Sequence, residues 1–153
     1  MTDVIPFNEA NAAKEMPYFG QELFIMAQAK GGLDSKPYLD ALAANRRLAR
    51  AEGIDKALAD NQLVALVAPT GQPAWLTDFV KGDASGGGFT QAAAVAGYPH
   101  ITVPAGFVRG LPVGLSFVRT AWSESTLIGL AYAYEQASKA RRPPQYLKTV
   151  NDW

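Results

Sequence analysis

The chain has 153 residues, 48% of them apolar, and its 14 basic and 14 acidic side chains cancel to a net charge of zero. That length suits one domain or part of a larger one, with enough apolar residues for a sizeable core. With the charge balanced, a strongly basic nucleic-acid face is not expected, no apolar run approaches the ~20 residues that span a bilayer, and the lack of cysteine excludes disulfides, thiol nucleophiles and cysteine-ligated metals.

Residues 1–60 read as helical. A short helical pattern over 8–16 has Asn8 as a candidate N-cap and is broken by Pro17. A second helix over 21–30 sets Leu23, Phe24 and Ala27 on one face, and Gly31-Gly32 ends it. Phe24 and Met26 are expected to pack in a core. Asp34 or Ser35 caps a longer helix with Pro37 in its first turn, where a missing N–H does no harm. Leu39, Leu42, Ala43 and Ala49 keep helical spacing, and Gly53 is placed to close it. Arg46, Arg47 and Arg50 gather near the end of this helix. They read as solvated cations matched to the negative end of the helix dipole rather than as an anion site, because no glycine-rich backbone accompanies them.

Residues 61–118 read as strands and a loop, after a short helical connection over 54–60. The continuous apolar run 63–68, stopped by Pro69, has the pattern of a strand buried on both faces. Residues 70–88 hold Gly71, Pro73, Gly82 and Gly86-Gly87-Gly88, and read as a long loop. Residues 92–96 form the small-residue tail of a helix that Gly97 stops in a left-handed C-cap. Residues 101–103 are a short β-branched strand that Pro104 and Gly106 break. Strand character resumes at 113–118 after the turn Arg109-Gly110-Leu111-Pro112, so two adjacent antiparallel strands are expected.

Residues 119–153 read as a terminal helix and a surface tail. Ser123 caps the helix, Leu127, Leu130, Ala131, Tyr134 and Ala137 form its buried stripe, and Pro143-Pro144 stops it. Helices before, between and after at least three strands predict an α/β layered domain. The opening Met1-Thr2-Asp3-Val4 lacks the basic and apolar segments of a signal peptide. A cytoplasmic location is expected.

Ala94-Val95-Ala96-Gly97-Tyr98-Pro99-His100-Ile101-Thr102-Val103-Pro104-Ala105-Gly106, followed by Gly110-Leu111-Pro112-Val113-Gly114-Leu115-Ser116-Phe117, resembles the C-terminal region of amidase signature enzymes. Leu66-Val67-Ala68-Pro69-Thr70 is similar to that family's strand entering the pocket region. Ala121-Trp122-Ser123-Glu124 and Ala140-Arg141-Arg142-Pro143-Pro144 are similar to its last helix and that helix's end. The resemblance covers most of the chain from about Asn61 onward, and more weakly the N-terminal third. It implies the C-terminal portion of the amidase signature fold, a few-stranded mixed sheet covered by helices.

The resemblance also implies a chemistry that these residues do not carry. The family uses a nucleophilic serine and a second serine on a cis peptide, both near a Gly-Ser-Ser-Gly-Gly type loop that this sequence lacks, and a lysine well upstream of that loop. No metal or organic cofactor is implied. In that family the loop of residues 70–88 lies near the substrate entrance, where Trp75, Leu76 and Phe79 either wall the pocket or simply anchor the loop.

The chain's own candidates are weaker. Ser85 precedes Gly86-Gly87-Gly88 instead of lying between glycines, and has no paired second serine. Lys81 is near it in sequence, which says nothing of hydrogen-bond reach. His100 is the single histidine, has no Gly-x-Ser-x-Gly companion, and reads as structural or hydrogen-bonded. Asp78 and Asp83 match no calcium loop, and no nucleotide-binding motif occurs. No catalytic or metal-ligating residue is therefore assigned, and the substrate-binding residues are not identified.

The expected function is the C-terminal portion of an amidase, silent alone, cleaving carboxamide C–N bonds only with an upstream catalytic half. The alternative is a non-catalytic interaction or complementation module, pairing with that half or with a second copy of itself, or a truncated relic.

Overall fold

Strand β3 (Leu111–Val118) pairs on both sides, with β1 (Leu66–Pro69) and with β2 (His100–Val108), in the order β1-β3-β2. Both pairings are antiparallel. The computed structural model behind this description covers residues 2–82 and 86–149. The chain divides into two units, Met1–Leu42 and Ala43–Trp153.

The first unit is helical. Helices α1 (Val4–Ala10), α2 (Ala12–Glu15) and α3 (Glu22–Gln28) precede α4 (Lys36–Ala49), which starts in this unit with Pro37 in its first turn as expected. Asn8 lies inside α1 and caps nothing; its amide donates to the Gln21 side chain at 3.1 Å. The Gln21 amide in turn donates to the Ile5 carbonyl at 3.1 Å. None of these four helices has a buried residue. The core packing expected of Phe24 and Met26 is absent: they are 39% and 57% exposed. Their helix is short, and no second apolar layer within the unit covers it.

In the second unit, α4 runs into a π-helical turn, Arg50–Ile54, and then α5 (Asp55–Asp60). Gly53 does not close the helix but kinks it, at φ −110° and ψ −105°. A Cβ there would lie 2.4 Å from the Leu48 carbonyl oxygen, so only glycine fits. Helix α6 (Thr90–Ala96) ends at Gly97, whose φ of 66° is the expected left-handed cap. Helix α7 is Glu124–Ser138. Ser123 stands at its N-cap position, but its hydroxyl donates to the Thr120 carbonyl instead of serving the helix.

The sheet separates two cores. On one face Val118 meets Ile54, Leu58, Ala93 and Ala96. On the other, Val103 and Phe117 pack with Leu127 and Ala131 of α7, flanked by Leu130 and Tyr134. The Tyr134 ring meets Phe117 edge-on at 6.1 Å. Four of the five residues expected in the α7 stripe face this core; Ala137, at the helix end, is exposed.

Two strand expectations change. Pro104 and Gly106 do not break β2: the ladder shifts register between them and continues to Val108. A bulge absorbs the irregularity. The hairpin then closes through Arg109 and Gly110, at φ 48° and 80°, the paired positive values of a tight two-residue turn. The run 63–68 is not buried on both faces. Only Leu66 onward is strand, at a sheet edge, and Val67 is 51% exposed.

Leu127 is 2% exposed, whereas its neighbour Ile128 is 59% exposed. Leu127→Ala is expected to lower unfolding stability by about 3 kcal/mol, and Ile128→Ala by less than about 0.5 kcal/mol. Urea denaturation of the two variants checks the contrast.

Candidate functional site

The antiparallel register sets Ala68, Ser116 and Thr102 abreast on three strands, and Thr70 follows two residues beyond Ala68. Side chains two apart share a face, so Thr70, Thr102 and Ser116 converge. The Ser116 hydroxyl, fully buried, donates to Thr70 Oγ1 at 2.8 Å. Thr70 Oγ1 donates to Thr102 Oγ1 at 3.3 Å, and Thr102 and Ser116 close the ring at 3.3 Å. Each hydroxyl can donate once and accept, so the ring satisfies its buried member and polarises its exposed one, Thr102. Gly114 keeps the space open: a Cβ there would lie 2.6 Å from Thr102 Cγ2 and 2.7 Å from Thr70 Oγ1.

The long loop starts and ends at this ring. The Phe89 N–H donates to the Thr70 carbonyl at 3.1 Å, and Gly71 bridges Gly88. Trp75, Leu76 and Phe79 are 46%, 71% and 54% exposed, so the loop carries apolar surface rather than burying it. Asp78 Oδ1 accepts from the Val80 and Lys81 N–H groups at 2.8 and 2.9 Å. Those two bonds hold its carboxyl below the ordinary 3.8. Asp78 is thus a turn-former, with its charge committed to local backbone. Lys81 is exposed. Ser85 and Asp83 lie outside the described residues. Among the described residues no group of three or more His, Cys, Asp or Glu is placed to hold a metal ion.

A second polar group lies at the start of β2. Arg50 Nε donates to the Ala96 carbonyl at 2.7 Å, at the C-terminal end of α6, and its guanidinium sits 5.5 Å from the Tyr98 ring centre. The Tyr98 hydroxyl donates to Asp55 Oδ2 at 2.8 Å. Arg50 is therefore not the solvated cation expected; it ties the π-helical turn to α6. Arg47 pairs with Glu52 at 2.5 Å on the surface, and Arg46 is exposed. His100 begins β2 opposite Val118, half-buried, and its Nε2 has no hydrogen-bond partner. Burial and the Asp55 carboxylate push the Tyr98 hydroxyl above its ordinary 10.0.

An apolar cavity of about 210 Å³ lies on this side of the sheet, lined by Leu48, Ile54, Leu66, Phe89, Ala93 and Val118. A cleft of about 600 Å³ separates the hairpin tip, Phe107 and Gly110–Pro112, from residues 142–147. Arg142 lies 5.0 Å from the Phe107 ring centre there.

No family model matches the chain. It is similar over nearly its whole length to much longer proteins. A probable amidase of Arabidopsis thaliana is 36% identical over 149 residues, 96% of this chain and 26% of that protein. The structure of native peptide amidase from Stenotrophomonas maltophilia superposes with a TM-score of 0.87 at 52% identity, over 97% of this chain and 29% of that one. An amidase family protein from Bacillus anthracis gives 0.71 at 30% identity, over 94% and 25%. The chain therefore spans about a quarter to three tenths of the length of these relatives.

A three-stranded sheet between helices, matched over nearly all of its length to longer amidases, defines part of an α/β domain. The chain matches the amidase signature family and corresponds to the C-terminal part of its fold.

Two variants probe the site. Gly114→Ala is expected to cost about 1–3 kcal/mol through overpacking against Thr70 and Thr102, read as a lower urea midpoint. For Tyr98, a pKa raised in the folded chain means that its stabilisation is complete below the unfolded value of about 10. It is lost as pH rises through the higher folded value. The wild type is expected to lose more stability between pH 9 and 11 than Tyr98→Phe, in paired urea titrations.

Proposed function

We propose that this chain is the C-terminal part of an amidase that hydrolyses C–N bonds of linear carboxamides. Its serine nucleophile, cis-peptide serine and lysine are supplied by residues outside the chain. In that scheme the serine oxygen attacks the amide carbon. The lysine, acting through the second serine, takes the proton and returns it to the leaving amine. Water then clears the acyl-enzyme. The observation that carries the reading is the 52% identity to a peptide amidase across 97% of this chain, at a TM-score of 0.87.

Within that enzyme the chain contributes sheet strands, their helical cover and a wall of the substrate entrance. The hydroxyl ring and the loop bearing Trp75, Leu76 and Phe79 are assigned to that wall. The ring offers hydrogen bonds to a polar group, and the loop offers apolar contact, the mixture that small-molecule sites use. Small amides are the proposed ligands, and the cytoplasm the proposed location. Among the described residues no helix is long and apolar enough to cross a membrane.

The complementation reading has its own support. The first unit's helices bury no residue, and Leu23, Ile25, Met26 and Leu33 are each more than half exposed. Such a surface suits a chain that completes its packing against a separate catalytic half.

The test compares the chain alone with a chimera in which it replaces the matching segment of the Stenotrophomonas maltophilia peptide amidase. On an aryl amide and a peptide amide, the chain alone is expected to be silent and the chimera to turn over. Turnover by the chain alone would overturn the reading and reopen Ser85, Lys81 and His100. A folded but inactive chimera would shift the function to the interaction module.

A further inference from the structure

The apolar cavity beside the π-helical turn has no part in the site described above. It measures about 210 Å³, and its described lining residues all belong to the second unit. Thr70, Thr102 and Ser116 are not among them. Small residues account for the space. Ala49, Gly53 and Ala57 recur every four positions through the turn, and Ala93 of α6 joins them on the lining. Side chains this small leave room that packing at the density of a protein interior would fill. Gly53 cannot carry a filling side chain, because its Cβ would lie 2.4 Å from the Leu48 carbonyl oxygen. The π-turn is itself a rare conformation that is frequent at functional sites.

The chemistry of the lining selects the occupant. Among the described residues, every lining side chain is that of Leu, Ala, Gly, Ile, Phe or Val, so none offers a hydrogen bond. The charged neighbours in the turn are engaged elsewhere: Arg50 donates to the Ala96 carbonyl, and Asp55 accepts from Tyr98. Water needs several polar partners to be held in a cavity, and a charged ligand would shed its hydration without compensation. Size narrows the choice further. Sites for drug-sized ligands measure about 300–1,000 Å³, whereas an apolar cavity of about 150 Å³ takes benzene. The volume here therefore suits one ring with a short substituent. Ile54, Ala93 and Val118 form a buried floor at 4%, 1% and 1% exposure, and Leu48, 55% exposed, marks the mouth. Entry needs no unfolding.

We propose that this cavity is a binding site for a small uncharged apolar molecule, a single aromatic ring with a short alkyl substituent. The proposal does not depend on the amidase reading. A ligand there touches the π-turn and Val118 of β3 at once, and so braces the turn against the sheet.

Toluene is the probe. Titrated into the chain and followed by methyl NMR, it is expected to shift the Ile54, Leu66, Ala93 and Val118 methyls saturably, with a dissociation constant of about 1 mM or tighter. Benzylamine, a similar molecule bearing a positive charge, is expected to bind at least about 100-fold more weakly. Ala57→Leu fills the cavity from half-buried α5 and is expected to weaken toluene at least about 10-fold. Leu66→Phe fills it from the sheet and takes over if the first variant does not fold. Shifts that do not saturate, that spread to exposed residues such as Leu23 and Ile128, or that survive filling would overturn the site. Benzylamine binding as tightly as toluene would do the same. Loss of these shifts in the folded amidase chimera would overturn it too, by showing that the cavity seats another part of a longer domain.

Discussion

Everything in the second unit depends on β3 being paired from both sides. Ser116, Phe117 and Val118 are each at most 7% exposed, and they serve three different surroundings. Phe117 enters the α7 core, Val118 enters the core of α5 and α6, and Ser116 anchors the hydroxyl ring. A strand's side chains alternate between faces, so one residue's slip would send Phe117 and Val118 to the wrong cores together. The register is held by the tight Arg109-Gly110 turn at one end and by β1 at the other. The site inherits its geometry from this: Thr70, Thr102 and Ser116 are far apart in sequence and meet only because two ladders share one strand.

How much of this was legible depends on the range of the interaction. Gly97 was legible, since a left-handed cap is decided by a residue and its neighbours. Pro37 in the first turn of α4 and the Leu127–Ala131 stripe were legible for the same reason. Pro104 and Gly106 misled because residue type announces an irregularity without saying whether the strand stops or bulges. The partner strand decides that, and β3 runs past both. Phe24 and Met26 misled because periodicity reports an apolar face, not what lies against it.

The candidate site was legible in outline and not in its members. The loop of residues 70–88 was marked by its glycines, and the family resemblance placed it near a pocket. The hydroxyl ring was invisible: threonine and serine in strands are commonplace, and only the register makes Thr102 and Ser116 neighbours. The Arg50 clamp was hidden differently. The arginine cluster stood out, but the π-helical turn that directs Arg50 to the Ala96 carbonyl arises from the kink at Gly53, which had read as a terminator.

The mismatch between apolar sequence and exposed structure follows one pattern across the chain. It occurs in α3, at Leu23, Ile25 and Met26; on the edge strand β1, at Val67; and on the outer side of α7, at Ile128 and Tyr132. Scattered apolar exposure is normal on a protein surface. Here, though, each instance falls on a regular element whose opposite side is either already packed, as in α7, or has no core at all, as in α3. A helix that is apolar around its whole circumference belongs inside a larger structure, and so does a strand that is apolar along its whole length. A chain that matches three tenths or less of its relatives while keeping their local shape would show such surfaces. The same reasoning accounts for the chemistry. The described residues supply hydroxyls, a bare glycine and apolar loop residues, which can shape a pocket, and the nucleophile loop of the family has no counterpart in the sequence.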